Sequence, residues 1–155
     1  MSTQAQSTVQ VTLGPSAPYT FTTLVPGGGG PANLVLPNTT FTSNGMWYPS
    51  PNQEYVTILQ TDGNLVLYQV IGTAPPLKQG VTFTGKALWA TGTNNNQNDT
   101  FVVQNDGNLV VYNSKGSAIW ASNTNGKVPV GLYLQNDGNL VLYQATPAWA
   151  SGTNS

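Results

Sequence analysis

Three near-copies of one phrase hold most of the chemistry that this 155-residue chain can offer: LQTDGNLVLYQ (59–69), VQNDGNLVVYN (103–113) and LQNDGNLVLYQ (134–144). They contain three of the five carboxylates in the whole sequence. At alternate positions the first copy sets Gln60, Asp62, Asn64, Val66 and Tyr68. The second sets Gln104, Asp106, Asn108, Val110 and Tyr112, and the third Gln135, Asp137, Asn139, Val141 and Tyr143. Two amides, a carboxylate and a phenol both donate and accept hydrogen bonds, and the valine adds an aliphatic patch. Such a set fits a neutral polyol, whose hydroxyls need donors and acceptors and whose ring C–H groups need an apolar contact.

The same residues do not fit catalysis. A glycosidase requires two carboxylates ~5–9 Å apart, and each copy has one. The chain has no histidine and no cysteine, which removes imidazole bases, thiol nucleophiles, disulfides and Cys-ligated metals. One carboxylate per turn is too few for a calcium cage. The expectation is a binding protein with no enzymatic activity, no cofactor and no metal.

Spacing dictates how these residues can meet. On a straight strand Gln60 and Tyr68 would share a face but lie roughly 26 Å apart, several times the width of a sugar ring. Asp-Gly-Asn is a hairpin signal, because glycine accepts turn dihedrals and asparagine tolerates the left-handed region. A three-residue loop at Asp62-Gly63-Asn64 would put Gln60 opposite Val66 and gather Gln60, Val66 and Tyr68 on one face. Leu59, Leu65 and Leu67 then face a core, as do Val103, Leu109 and Val111, and Leu134, Leu140 and Leu142.

Each phrase has a second half: LWATGT (88–93), IWASNT (119–124) and AWASGT (148–153). The interval from Gln60 to Gln104 exceeds that from Gln104 to Gln135, and QVIGTAPPLKQGVTFTG (69–85) accounts for the excess as an excursion loop carrying Lys78. Repetition on this scale, with Val, Leu, Tyr, Thr and Trp broken by turn residues, reads as an all-β protein. Residues 33–59 should open the first unit. Trp89, Trp120 and Trp149 recur once in each unit and should fill the core, whereas Trp47 has no repeat partner. Glu54 and Asp99 are expected to be solvated. PGGGGP (26–31) divides an N-terminal extension, 1–30, from the repeat domain, 31–155. In the extension Val9, Val11 and Leu13 alternate, and the segment is expected to dock.

Charged residues are 6% of the chain, against a usual ~25%. Four lysines and a net charge of -1 leave no basic patch for nucleic acid. No apolar run approaches ~18 residues, so no membrane insertion is expected. MSTQAQSTVQ lacks the basic and apolar regions of a secretory signal, which predicts a cytoplasmic protein or one released by a non-classical route.

The nine-residue pattern Q-x-D-x-N-x-V-x-Y, intact three times, resembles the carbohydrate motif of the bulb-type (monocot mannose-binding) lectins. The W-A-[ST]-[GN]-T segments resemble the strands that follow it there. The resemblance covers about residues 31–155 and, without cysteine, is to a microbial or fungal-like branch. It implies a β-prism II fold of three four-stranded antiparallel sheets with pseudo-threefold symmetry, one α-D-mannose site on each. By that resemblance Asp62 and Asn64 bind O2, Gln60 binds O3, Tyr68 binds O4 and Val66 packs on the ring, and the second and third sets repeat these roles. It also implies mannose-rich glycans as partners and a homodimer formed by exchange of the C-terminal strand, 148–155. The alternative is a defence or toxin-like protein, antibacterial or insecticidal, that uses mannose only for targeting. A β-trefoil lectin also has three units, but its Q-x-W signature is absent.

Overall fold

The computed structural model describes residues 10–13, 34–71, 83–144 and 147–154. The chain opens with β1 (Gln10–Leu13), β2 (Leu34–Val35), β3 (Thr39–Thr42) and β4 (Met46–Pro49). The first unit continues with β5 (Tyr55–Leu59), β6 (Leu65–Ile71) and β7 (Phe83–Ala90), and the second is β8 (Thr100–Val103), β9 (Leu109–Tyr112) and β10 (Ala118–Ala121). The third is β11 (Gly131–Leu134), β12 (Leu140–Tyr143) and β13 (Pro147–Ala150). They form three antiparallel sheets, β7-β6-β5-β4, β10-β9-β8-β3 and β13-β12-β11-β2, with β1 added outside β7 in the first. This is the all-β fold that the repeats imply and the prism that the family resemblance implies, enlarged by one strand from the N-terminal extension.

Each unit is a three-stranded meander and therefore needs a fourth strand from elsewhere. Residues 33–59 do not all serve the first unit, as the sequence suggests. β2 pairs with β11 in the third sheet, β3 with β8 in the second, and only β4 and β5 lie in the first. The physical reason is edge pairing: each meander leaves its first strand unpaired on one side, and the opening segment visits all three edges in turn.

Alternation sorts the side chains as expected. Leu59, Leu65, Leu67, Val103, Leu109, Val111, Leu134, Leu140 and Leu142 are buried together around the axis. Trp89, Trp120 and Trp149 pack against that core, half-buried, and meet edge to face with centroids 5.2–5.8 Å apart. Three indoles in a triangle place ring edges on ring faces, the arrangement that their quadrupoles favour. Trp47 lies on the opposite face of the first sheet, in a second apolar cluster with Val56, Ile58, Val66 and Tyr68.

One segment differs from expectation. The ends of 69–85 continue the strands: Gln69, Val70 and Ile71 pair with Lys86, Gly85 and Thr84, and β1 pairs with the same stretch of β7. Residues 72–82, with Pro75, Pro76 and Lys78, lie outside the described residues. The C-terminal strand pairs within its own chain, Leu142 opposite Trp149 and Val141 opposite Ala150.

Candidate functional site

The motif turn is a three-residue loop, set one residue earlier than the sequence suggests. Gln60 N–H donates to Asn64 O at 2.9 Å, and Gly63 N–H donates to Gln60 O at 2.9 Å. The loop is therefore 61–63, Leu59 lies opposite Leu65, and Val66 lies opposite Ile58 rather than Gln60. Gly63, at φ 90°, takes the left-handed position that ends this turn, which frees Asn64 from that conformation just before β6 begins. A side chain at Gly63 would also run into the Asn96 carbonyl and the Asp99 carboxylate. The face assignment survives, because the shift moves pairing by two positions and preserves alternation.

Within each turn the motif residues are wired together. Asp62 Oδ1 accepts from Asn64 N at 2.9 Å, and the same bond recurs at Asp106–Asn108 (3.0 Å) and Asp137–Asn139 (2.9 Å). The Tyr68 hydroxyl donates to Gln60 Oε1, and Gln60 Nε2 donates to the Asp62 carboxylate at 3.3 Å. Tyr143, Gln135 and Asp137 repeat this chain. In the second turn Gln104 presents the other edge of its amide and donates through Nε2 to the Tyr112 hydroxyl.

The asparagine is held by residues that the motif does not include. Asn64 Oδ1 accepts from Gly92 N (2.9 Å), Thr93 N (3.1 Å) and Thr91 Oγ1 (3.3 Å). Thr91 Oγ1 in turn accepts from Leu65 N, and Thr93 Oγ1 donates to the Gly63 carbonyl. Ser122 and Thr124 bind Asn108 and Gly107 in the same way, and Ser151 and Thr153 bind Asn139 and Gly138. With Oδ1 committed to the fold, each asparagine keeps its Nδ2 donors for a ligand. The signal for these hydroxyls was in the sequence, as the [ST]-[GN]-T that ends every repeat. The middle residue has positive φ in all three (Gly92, Asn123 and Gly152), which explains the choice of Gly or Asn.

The three turns are not equivalent in exposure. Gln60 is 8% exposed and Tyr68 2%, whereas Gln104, Tyr112, Gln135 and Tyr143 are only half-buried. Asp62 and Asp106 are exposed, Asp137 half-buried, and Val66, Val110 and Val141 buried.

Glu54 is exposed, as expected, but Asp99 is not: it is 1% exposed, behind the first turn. Neither of its oxygens has a hydrogen-bond partner. Burial pushes its carboxyl up to about 6; its own backbone amide and Ser43 lie near enough to oppose the shift, and the Asp62 charge adds to it. The repeat pattern could not reveal this, because Asp99 has no counterpart in the other units.

Among solved structures, the chain matches the monomeric monocot mannose-binding lectins of Gastrodia elata at TM-score 0.61 and 36% identity, over 77% of this chain and 96% of that one. The mannose-specific agglutinin of snowdrop, Galanthus nivalis, complexed with methyl-α-D-mannoside, matches at 0.57 and 35%, over 79% and 98%. A Marasmius oreades lectin matches at 0.60 and 26%, over 76% and 87%. No protein-family model and no curated protein sequence gives a match. A three-sheet β-prism with hydrogen-bonding turns on its outer faces is the architecture of a carbohydrate-binding lectin. The chain belongs to the monocot mannose-binding, or bulb-type, lectin family.

Proposed function

We propose that the chain binds terminal or branched α-D-mannose on mannose-rich glycans, without catalysing any reaction on it. In the third site Asp137 and Asn139 take O2, Gln135 takes O3, Tyr143 takes O4, and Val141 packs on the ring carbons. Asp106, Asn108, Gln104, Tyr112 and Val110 do the same in the second, and Asp62, Asn64, Gln60, Tyr68 and Val66 form the first. The axial O2 of mannose, met by a carboxylate and an amide together, separates it from glucose. The observation that carries this reading is the recurrence of one outward-facing, pre-wired set at three turns, each braced by the end of its own repeat. The snowdrop agglutinin, 35% identical, takes methyl-α-D-mannoside. The absence of cysteine aligns the chain with disulfide-free members of the family.

Four or five hydrogen bonds at a net ~0.5–1.5 kcal/mol each, less the cost of association, give a single-site affinity of roughly millimolar strength. The second and third sites dominate, because Gln60 and Tyr68 are buried in the first. Calorimetric titration with methyl α-D-mannoside and methyl α-D-glucoside tests the proposal. Mannoside binding dominated by two sites, unaffected by EDTA, with the glucoside at least tenfold weaker, is expected. No mannoside binding, or equal binding of the two sugars, would overturn it.

A further inference from the structure

Asp99 carries a charge that nothing among the described residues offsets. The loop that ends on it, NNNQND (94–99), follows the first repeat, and its run of amides is not repeated in the other two. Asn95 and Asn98 take the left-handed conformation, at φ 69° and 64°, and turn the chain behind the first motif. Asn96 N–H donates to the Asp62 carbonyl at 3.1 Å, and Ser43 N–H donates to the Asp99 carbonyl at 3.3 Å. The two bonds hold Asp99 between the first motif turn and the turn that joins β3 to β4. On one side, a Cβ added at Gly63 would come within 2.8 Å of Asp99 Oδ2. On the other, the Ser43 side chain lies near the carboxylate.

Thr42, Ser43, Asn44, Asn98, Asp99 and Thr100 line a cleft of about 320 Å³ at this place. Every one of these side chains carries an oxygen, and Asp99 brings the one formal charge. A buried carboxylate that is neither paired nor hydrogen-bonded is costly, and such a group calls for an explanation. Neither Asp99 oxygen has a partner, and the charge that acts on the carboxylate, that of Asp62, is also negative. A hydroxyl or an amide can bond a carboxylate but cannot offset its charge. Carboxylate, hydroxyl and amide oxygens together suit a hard cation. One carboxylate is too little charge for a calcium cage, but it matches a single positive charge. We infer that this cleft binds a monovalent cation, an alkali ion or a primary ammonium group, against Asp99, with Thr42, Asn44 and Thr100 offering further oxygens. The proton competes with the cation for the same carboxylate, so acid displaces it. The inference stands apart from the mannose reading.

The test is the melting temperature of the wild type, Asp99→Asn and Asn44→Ala in about 0.1 M sodium, potassium, ammonium or tetramethylammonium chloride at pH ~7.5. Tetramethylammonium has no N–H to donate and is too bulky to be coordinated, so it serves as the reference. In the wild type at least one of the other three should raise the melting temperature by about 3–5 °C over the reference, the shift for a cation at ~10 times its dissociation constant. Asp99→Asn, nearly isosteric, should lose the shift, and Asn44→Ala, which truncates an exposed side chain, should reduce it. The wild-type shift should shrink at pH ~5, where the proton holds the carboxylate. General salt effects act alike on all three proteins, so the differences between them read the site. The cation that gives the greatest shift distinguishes a bare ion from an ammonium group. Equal melting temperatures in the four salts, or a shift that either variant keeps in full, would overturn the inference.

Discussion

The Thr124 hydroxyl donates to the Gly107 carbonyl at 2.6 Å, tying the end of the second repeat to the motif turn at its start. Together with Ser122, which bonds Asn108 Oδ1 at 3.2 Å, it fixes the turn before any ligand arrives. Such bonds contribute ~0.5–1.5 kcal/mol each. Replacing both, as Ser122→Ala with Thr124→Val, should leave the fold intact and weaken methyl α-D-mannoside at the second site by several-fold. Calorimetry on an Asp137→Ala background isolates that site. Undiminished affinity would show that the brace does not pre-organise it.

The two faces of the second sheet should respond in opposite ways to truncation. Asp106 is exposed, so Asp106→Ala should remove second-site binding with little change in melting temperature. Trp120 meets both Trp89 and Trp149, and Trp120→Ala should destabilise the prism by about 2–4 kcal/mol, less than for a fully enclosed ring because the triangle is half-buried. Thermal melts and titrations on the same two variants read both effects, and a reversed pattern would exchange the faces.

Asp99 gives stability an unusual pH dependence. Its folded carboxyl titrates near 6, above the unfolded value of ~3.9, so the folded state holds the proton more tightly. The contribution is fully present below pH ~4 and is lost as pH rises through about 6. The loss is on the order of 1–3 kcal/mol. Asp99→Asn should flatten this slope between pH 4 and 7 and raise the melting temperature at neutral pH. A slope that persists in the variant would assign it to another group.

Association follows from where the terminal strand lies. β13 completes the third sheet of its own chain, and β1 occupies the edge of the first sheet rather than the place of β13. Exchanged between two chains, β13 would make the same pairs on the third sheet of its neighbour, and the homodimer that the family resemblance implies should give light scattering for twice the mass of one chain. A dimer that disappears on removal of residues 147–155 would support strand exchange, and a mass of one chain for the intact protein would overturn it.

How far the sequence could be read depended on repetition. Leu59, Val103 and Leu134 occupy one position in three units, and any assignment that buried one had to bury all. The tryptophan triangle followed from the same comparison. Asp99, β2 and β3 have no repeats to compare with, and what decides their position is contact with units distant in sequence. The turn was misplaced by one residue for a different reason. Asp-Gly-Asn is compatible with a loop at 62–64 or 61–63, and the choice falls to the Thr91 hydroxyl and the Gly92 and Thr93 backbone amides, which capture the Asn64 side chain from beyond the end of β7.

The opening segment also constrains how such a protein can change over time. In an open array of repeats, units are gained or lost singly, because each one contacts only its neighbours. Here residues 34–49 deliver one edge strand to every sheet, and a ring closed by a single thread has no spare place. A duplicated repeat would arrive as a meander with no edge partner, and a deleted one would strand β2, β3 or β4. The number of sites in this lineage can therefore fall by erosion of a motif on an intact sheet, but can rise only by copying the whole prism.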